Sequence, residues 1–450
     1  MSQTVSETLA SFVHRLRFEE IPVEVVQKAK TCLIHGIGVG LAGYDTDFPR
    51  IAAEIAGVNG RGAHEATLLY NGSKCTVMEA AFANAVMLHS RVQEDTHNTA
   101  HLGTIVIPVV LALGESREAS GKEILTALIA GYEVGGALSK HYTSQSTPRG
   151  FRASSVYGIL GASAAAAKLL HLTEEQTAHA LGFAASFAFG TLEAFAAGTM
   201  EWRFENGVAA KNGILCALLA QSGAVATKLA FEGNAGFLHA FAGNHKDPLK
   251  CVQHLGKVYE ILNVTFKLYP VCAFNQSPVI NALEMKKEFD IQVEQIQSIV
   301  IEMNDYEANY PGMSSKGPFQ NISQTLMSAP YCVSSSLMDG EMTLANLKRF
   351  DHETLNQLID KTIMIPEKTV NPLCNKITVE LKNGQKLVRE MSITQDFYNF
   401  ETERDIEMIR DLRKEMQISS EQLEQLIHEL LSLENKPNLS TLMPNTTAVS

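Results

Sequence analysis

The sequence predicts a mainly α protein: a large all-helical domain into which a smaller α+β domain is inserted. Three observations lead there. From Ala80 to Ala240, Ala, Leu and Gly recur at helical rather than alternating spacing, as in Gly121 to Leu138, Gly158 to Leu170 and Ala209 to Ala220. Past Asn263, β-branched runs and a hairpin signal, Lys382-Asn383-Gly384, interleave with helical stretches. After Phe400 a charge-rich helical pattern returns and runs to about Asn435. A chain of 450 residues is longer than one hydrophobic core normally organises, so two domains are expected. Their boundaries are read as 1–263 and 398–450 for the helical domain and 264–397 for the α+β domain.

Taken in order, Thr4 to Arg17 reads as an amphipathic helix with Leu9, Phe12, Val13 and Leu16 on one face. Pro22 suits the first turn of a second helix that runs through Val25, Ala29 and Leu33 toward Gly36. Gly38-Val39-Gly40-Leu41-Ala42-Gly43 matches a dinucleotide fingerprint, but no strand precedes it and no helix opens after it. Close helix packing is therefore the reading adopted. Thr173-Glu174-Glu175-Gln176 is a capping box. In the α+β part, strands are expected at Ser298 to Met303, Lys376 to Leu381 and Gln385 to Ile393, with helices at Ser277 to Phe289 and Gln324 to Leu337. Glu401 to Glu415 reads as a solvated helix face and Pro437 to Ser450 as a loose polar tail.

Composition narrows the function. The content is 45% hydrophobic and 19% charged, ordinary for a globular protein. A net charge of -12 without a Lys/Arg run argues against nucleic acid as a partner, yet permits a locally basic pocket for an anionic metabolite. No apolar segment reaches membrane-spanning length, and the N-terminus lacks a basic start and an apolar block, so a cytoplasmic protein without a membrane partner is expected. The seven dispersed cysteines, with no C-x-x-C, fit reduced thiols and supply no iron–sulfur ligand set.

One stretch stands out. Glu94-Asp95-Thr96-His97-Asn98-Thr99-Ala100-His101-Leu102-Gly103 is an ionisable knot between the apolar runs Glu79 to Leu88 and Thr104 to Leu113. Two carboxylates and two imidazoles enter a low-dielectric interior cheaply only by pairing with one another, which marks a site. His101 suits proton transfer because its ordinary pKa lies near working pH. The H-x-x-x-H spacing of His97 and His101 admits zinc if both rings share a helix face, but the glutamate of H-E-x-x-H is absent and Gly103 is expected to end any helix, so no metal is assigned. Arg203 beside Trp202 reads either as a functional cation or as one stacked on an aromatic ring.

Several segments together resemble the MmgE/PrpD family, which includes 2-methylcitrate dehydratases, cis-aconitate decarboxylases and an iminodisuccinate epimerase. They are the Asp95-Thr96-His97 to His101-Leu102-Gly103 stretch, Ser120 to Glu133, Gly207 to Gly213, and Phe266-Lys267-Leu268-Tyr269-Pro270. The resemblance covers essentially the whole chain. It implies a helical domain made of both chain ends, a smaller α+β lid domain, a homodimer, and catalysis without metal or organic cofactor. By position it implies that Asp95, Thr96 and His101 belong to an active site, that Lys267 lies near substrate, and that Tyr310 matches a nearby tyrosine.

The chain departs from the decarboxylase pattern at several places. Gly150-Phe151-Arg152 stands where those proteins carry Gly-Phe-His, Val92 or Gln93 replaces the first acid of their D-x-D-D-T run, Arg203 takes the place of a lysine, and Asn275-Gln276 replaces Thr-His. The family reactions put negative charge on a carbon beside a carboxylate, which needs a base and nearby cations. His101 is the expected base; Lys267, Arg152 and Arg203 are the expected cations; His97 or Tyr310 is the expected second acid. Asp95 and Thr96 complete the catalytic set, and Trp202, Glu94 and Gln93 are expected to line the substrate. The leading expectation is a dehydratase-type lyase acting on a small di- or tricarboxylate. Epimerisation of an amino or imino dicarboxylate comes second and decarboxylation third, and a non-catalytic metabolite-binding protein is the remaining alternative.

Overall fold

The computed structural model describes residues 3–60, 62–244 and 246–447. The chain is mainly α and divides into two compact units, one of Met1–Thr191, Trp202–Phe266 and Glu401–Ser450, the other of Leu192–Glu201 and Lys267–Phe400. The short segment Leu192–Glu201 thus goes with the second unit, although it lies inside the stretch read as the helical domain.

The first unit is built of helices because small and apolar residues recur all round them. Gly121–Ser146 and Ala153–Leu169 are buried along nearly their whole length. Local caps set the starts. Thr4, Ser120 and Thr173 each close a capping box, at the helices Val5–Arg15, Gly121–Ser146 and Glu174–Phe187. Pro22 caps the helix Val23–Ala42, in which the glycine run is embedded. A Cβ on Gly38 would lie 2.6 Å from the Ile409 side chain, and one on Gly40 2.9 Å from that of Leu88, so these glycines serve helix contact. Among the described residues no helix is long and apolar enough to cross a membrane.

Two expectations for the C-terminal segment are corrected. The helix Thr402–Asp411 is not merely a solvated face, since Asp405, Ile406 and Ile409 are buried. Residues 437–447 are not loose, because Leu439, Leu442, Met443 and Thr446 are all buried. Apolar residues at 439 and 442–443 are enough to anchor a short 3-10 turn at Met443–Thr446. The last three residues of that expected tail lie outside the described residues.

The second unit carries a four-stranded sheet. Ile296–Asn304 is flanked by Thr362–Glu367, parallel, and by Asn375–Leu381, antiparallel; Lys386–Met391 pairs antiparallel on the outer side of the latter. Alternation decides which face is buried: Ile299, Ile301, Met303, Ile377 and Val379 point inward. The Lys382-Asn383-Gly384 turn closes as expected, with Gly384 at φ +84°. The helices of this unit include Gln276–Phe289 and Ala329–Asp339; the latter starts five residues later than the sequence pattern suggests because Ser328 caps it, its hydroxyl oxygen accepting from the Tyr331 N–H.

Candidate active site

The ionisable knot leaves the helix Val77–Leu88, whose C-cap is His89. The backbone then passes Val92, a β-branched residue at φ +59°, before entering the short strand Asp95–Thr96. That strand pairs antiparallel with Thr265–Phe266. A two-residue turn follows: the His97 N–H donates to Ala100 O at 2.8 Å and the Ala100 N–H to His97 O at 3.0 Å, with Asn98 at φ +54°. Gly103 opens the next helix, Gly103–Ser116, instead of ending one. His97 and His101 therefore flank a turn and do not share a helix face, which removes the geometric basis for a paired-histidine metal site.

Asp95 anchors the knot. Its carboxylate accepts from the Gly103 N–H at 3.1 Å and from the Tyr132 hydroxyl. A Cβ on residue 103 would come within 2.6 Å of both carboxylate oxygens, so the approach requires glycine. Burial pushes the Asp95 pKa up, while the Tyr132 hydroxyl and the neighbouring His35 pull it down.

His101 is the knot's partly exposed ring, with 16% of its side chain accessible against 1% for Glu94. Its Nδ1 lies 3.0 Å from the Asp95 carbonyl oxygen, 3.3 Å from Glu94 Oε1 and 3.3 Å from the Thr96 hydroxyl. A carbonyl oxygen can only accept, so Nδ1 carries a proton and the lone pair of the neutral ring belongs to Nε2. The Ser154 hydroxyl accepts from the His101 N–H at 3.1 Å and fixes the backbone.

Glu94 also reaches His89, whose Nδ1 lies 3.3 Å from Oε2. The other His89 nitrogen accepts from Arg152 Nη2 at 2.9 Å. Burial drives the His89 pKa down to about 4, with Glu94 opposing and the Arg152 and Arg203 charges adding to the fall. This ring is therefore neutral at ordinary pH. Arg152 donates to the Trp202 carbonyl and to Glu205 Oε2, the latter at 3.3 Å. Arg203 donates to the carbonyls of His89 and Ser90, at 3.3 and 2.7 Å, and its guanidinium lies 3.9 Å from the Phe48 ring centroid and 4.3 Å from that of Trp202. Burial lowers the Arg203 pKa to about 9, which leaves it cationic at neutral pH. Of the residues expected to bind substrate, Arg152, Arg203, Trp202 and Glu94 thus form one buried array, and the two guanidiniums hold protein groups within it.

Two other expected residues turn elsewhere. Gln93 accepts from Arg91 Nε at 2.6 Å and donates to the Met408 sulfur at 3.7 Å. His97 places Nε2 3.1 Å from Glu260 Oε2 and Nδ1 3.1 Å from the Ser139 hydroxyl. Burial alone would raise Glu260, but His97 and Lys140, whose Nζ is 2.8 Å away, hold it down at about 2. Lys267 and Tyr310 belong to the second unit. Lys267 is buried; Tyr310 packs edge-on against Phe274, centroids 5.1 Å apart, beside Phe195 and Tyr306.

Sequence reasoning missed His89 and His35. His89 sits where an apolar helix ends and reads as an ordinary helix-end residue. His35 lies wholly buried inside the glycine-bearing helix, with Nδ1 2.7 Å from Asp405 Oδ1 and Nε2 2.8 Å from the Gln93 carbonyl oxygen. An imidazole within the apolar run from Cys32 to Ala42 is the available signal, because it demands a partner.

Fold and site together define a mainly helical protein with a histidine–carboxylate cluster set in its helical unit. The chain belongs to the MmgE/PrpD family: residues 7–250 match the MmgE/PrpD N-terminal domain and residues 269–407 the MmgE/PrpD C-terminal domain. Among its relatives is the cis-aconitate decarboxylase-like protein oryM of Aspergillus oryzae, 28% identical over 98% of this chain and 96% of that protein. The cis-aconitate decarboxylase of Aspergillus terreus is 26% identical over 77% of this chain and 74% of the relative. The human cis-aconitate decarboxylase is 26% identical over 85% and 82%.

Proposed function

We propose that this chain is a lyase that acts on a small di- or tricarboxylate by taking a proton from the carbon next to a carboxylate, with His101 Nε2 as the base. The observation that carries the reading is the His101 geometry. Nδ1 is committed to the Asp95 carbonyl and faces the Glu94 carboxylate, so the ring is held in one tautomer with its basic nitrogen defined. When Nε2 takes the proton, the ring becomes an imidazolium whose Nδ1–H is held by the Asp95 carbonyl with the Glu94 carboxylate 3.3 Å from the same nitrogen, and that nearby negative charge stabilises it. The electron pair left on carbon delocalises into the substrate carboxylate, and loss of a β-hydroxyl completes a dehydration.

Membership of a family with decarboxylase relatives supports lyase chemistry on such an acid. Family resemblance further proposes Lys267 as a carboxylate-binding cation, Tyr310 as a proton donor, and a homodimer. We assign His97 a positioning role, because both of its nitrogens engage protein groups at the turn.

The test is incubation with hydroxy, unsaturated and amino di- and tricarboxylates in heavy water, followed by NMR and gas analysis. Alkene formation from a hydroxy acid, with deuterium entering in the reverse direction, is the expected result. Release of carbon dioxide would make the enzyme a decarboxylase, and deuterium uptake without net conversion an epimerase. Absence of any exchange across the panel would overturn the proposal.

A further inference from the structure

His101 stands in a two-residue link, His101-Leu102, between two fixed elements: the turn closed by the His97–Ala100 bonds and the helix Gly103–Ser116. The torsions of such a link set where its side chain points, and side chains hold the His101 main chain on both sides. The Ser154 hydroxyl takes the N–H at 3.1 Å. The Thr104 hydroxyl donates to the His101 carbonyl oxygen at 2.8 Å, and the same hydroxyl oxygen accepts from Asn206 Nδ2 at 2.7 Å. A hydroxyl has one proton to give. With Asn206 donating to its lone pair, that proton is committed to the His101 carbonyl. Thr104 is 1% exposed and Asn206 wholly buried, so bulk water does not compete for either group.

Asn206 lies one turn beyond Arg203 on the helix Glu201–Gln221. Arg203 holds the His89 and Ser90 carbonyls just before the ionisable knot, and Asn206 reaches through Thr104 to the His101 carbonyl near its end. This helix is seated tightly on the one that leads into the knot, because a Cβ on Gly207 would lie 2.8 Å from the Phe82 carbonyl oxygen. One helix thus grips the segment at both ends.

We infer that Asn206 is a positioning residue for His101: it aims the Thr104 hydroxyl, which fixes the His101 carbonyl and with it the ring that presents Nε2. The inference rests on the reading of His101 as the base. The Nδ1 contact with the Asp95 carbonyl, at 3.0 Å, holds only while the link keeps its torsions. Without the Thr104 proton the carbonyl loses this partner, the link relaxes, and the ring leaves the Asp95 carbonyl. The base then has neither one tautomer nor one place. A threonine that only started a helix would not need a second side chain to aim its hydroxyl.

The experiment compares Thr104→Val, which keeps the shape and removes the hydroxyl, with Thr104→Ser, which keeps the hydroxyl, and with Asn206→Leu, which removes the donor that aims it. On a substrate found by the heavy-water panel, Thr104→Val and Asn206→Leu should each lower kcat by about 10- to 100-fold with KM within about threefold, and Thr104→Ser should keep most of the wild-type kcat. Adding Asn206→Leu to Thr104→Val should cost no further kcat, because the effect travels through the hydroxyl. Full kcat in Thr104→Val, equal losses in Thr104→Val and Thr104→Ser, or additive losses at the two positions would overturn the inference. Should Thr104→Val or Asn206→Leu not fold, Thr104→Ala or Asn206→Ala takes its place with the same expectation. A second readout needs no turnover. In ¹⁵N NMR the His101 ring of wild type and Thr104→Ser should show the Nδ1–H tautomer, and that of Thr104→Val and Asn206→Leu a mixture of both tautomers. If no acid on the panel reacts, the function falls and this spectrum still judges Asn206; identical His101 spectra in wild type, Thr104→Val and Asn206→Leu would overturn the inference whatever the panel shows.

Discussion

His35 and His101 each hold a carboxylate oxygen beside Nδ1, yet they are wired for opposite purposes. In His35 the two nitrogens face two groups that accept, the Asp405 carboxylate at 2.7 Å and the Gln93 carbonyl at 2.8 Å. Both nitrogens therefore carry protons, and the ring is locked as a cation with no accessible surface. In His101 the Asp95 carbonyl and Glu94 both address Nδ1, the ring is 16% exposed, and the basic lone pair is assigned to Nε2. The carboxylate neighbour does not tell a structural imidazole from one that moves protons; the distribution of acceptors between the two nitrogens does. The first arrangement ties two distant parts of the chain together, and the second leaves a proton site that can turn over.

The largest break in this contrast comes from truncating each ring. His101→Ala should lower exchange or turnover by about 10²- to 10⁴-fold, the usual worth of a positioned general base, with an unchanged circular dichroism spectrum. Retained turnover would remove His101 from the mechanism. His35→Leu should instead cost about 3–5 kcal/mol of stability, because it leaves Asp405 buried without its counter-charge. The double variant with Asp405→Leu should recover most of that in urea unfolding. The sign with pH is fixed as well. Burial lowers the His35 pKa but Asp405 and the Gln93 carbonyl outweigh it, and the net shift is upward. Its contribution is then complete below the ordinary histidine value near 6.5 and fades as pH rises through the raised one. The gap between wild type and His35→Leu should accordingly narrow in alkaline buffer.

Glu133 sharpens the same distinction from the carboxylate side. It is fully buried and accepts from the backbone N–H groups of Glu260 and Ile261, at 2.8 and 2.9 Å, so it caps the turn that presents Glu260 to His97. Burial pushes its pKa up to about 8 against those donors. Between 4.5 and 8 the folded protein then holds a proton that the unfolded chain releases, and this contribution to stability falls as pH rises across that window. Glu133→Gln should flatten the decline by about 3–4 kcal/mol between pH 5 and 8, read from urea midpoints. A slope equal to that of wild type would place the titration elsewhere.

How much of this could be read beforehand follows from the range of each interaction. The knot at residues 94–103 was legible because its ionisable groups are consecutive and the flanks are apolar; the capping boxes and the hairpin turn were legible because each is complete within a few residues. Partners far apart in sequence were not. His35 and Asp405 are 370 positions apart, and Asp405 lies in a charge-rich helix whose pattern reads as solvated. His89 is five residues from Glu94, but its other partner, Arg152, comes from the start of another helix. Gly103 was misread because glycine ends helices more often than it opens them; here the deciding factor is the Asp95 carboxylate, which accepts its N–H and leaves no room for a Cβ.

The smallest expected effect tests the turn that sends His97 and His101 to different partners. Asn98 is exposed and left-handed at φ +54°, a conformation that costs an ordinary L-residue about 1 kcal/mol more than it costs glycine or asparagine. Asn98→Ala should lower stability by about that amount and loosen the His97–Ala100 bridge, with a turnover loss of a few-fold at most. Asn98→Gly should match wild type to within a few tenths of a kcal/mol. Equal losses in the two variants would shift the weight from backbone conformation to the Asn98 side chain, whose amide stands 3.4 Å from His97 Nδ1. In that event the separation of the two rings would owe more to Asn98 chemistry than to the shape of the turn.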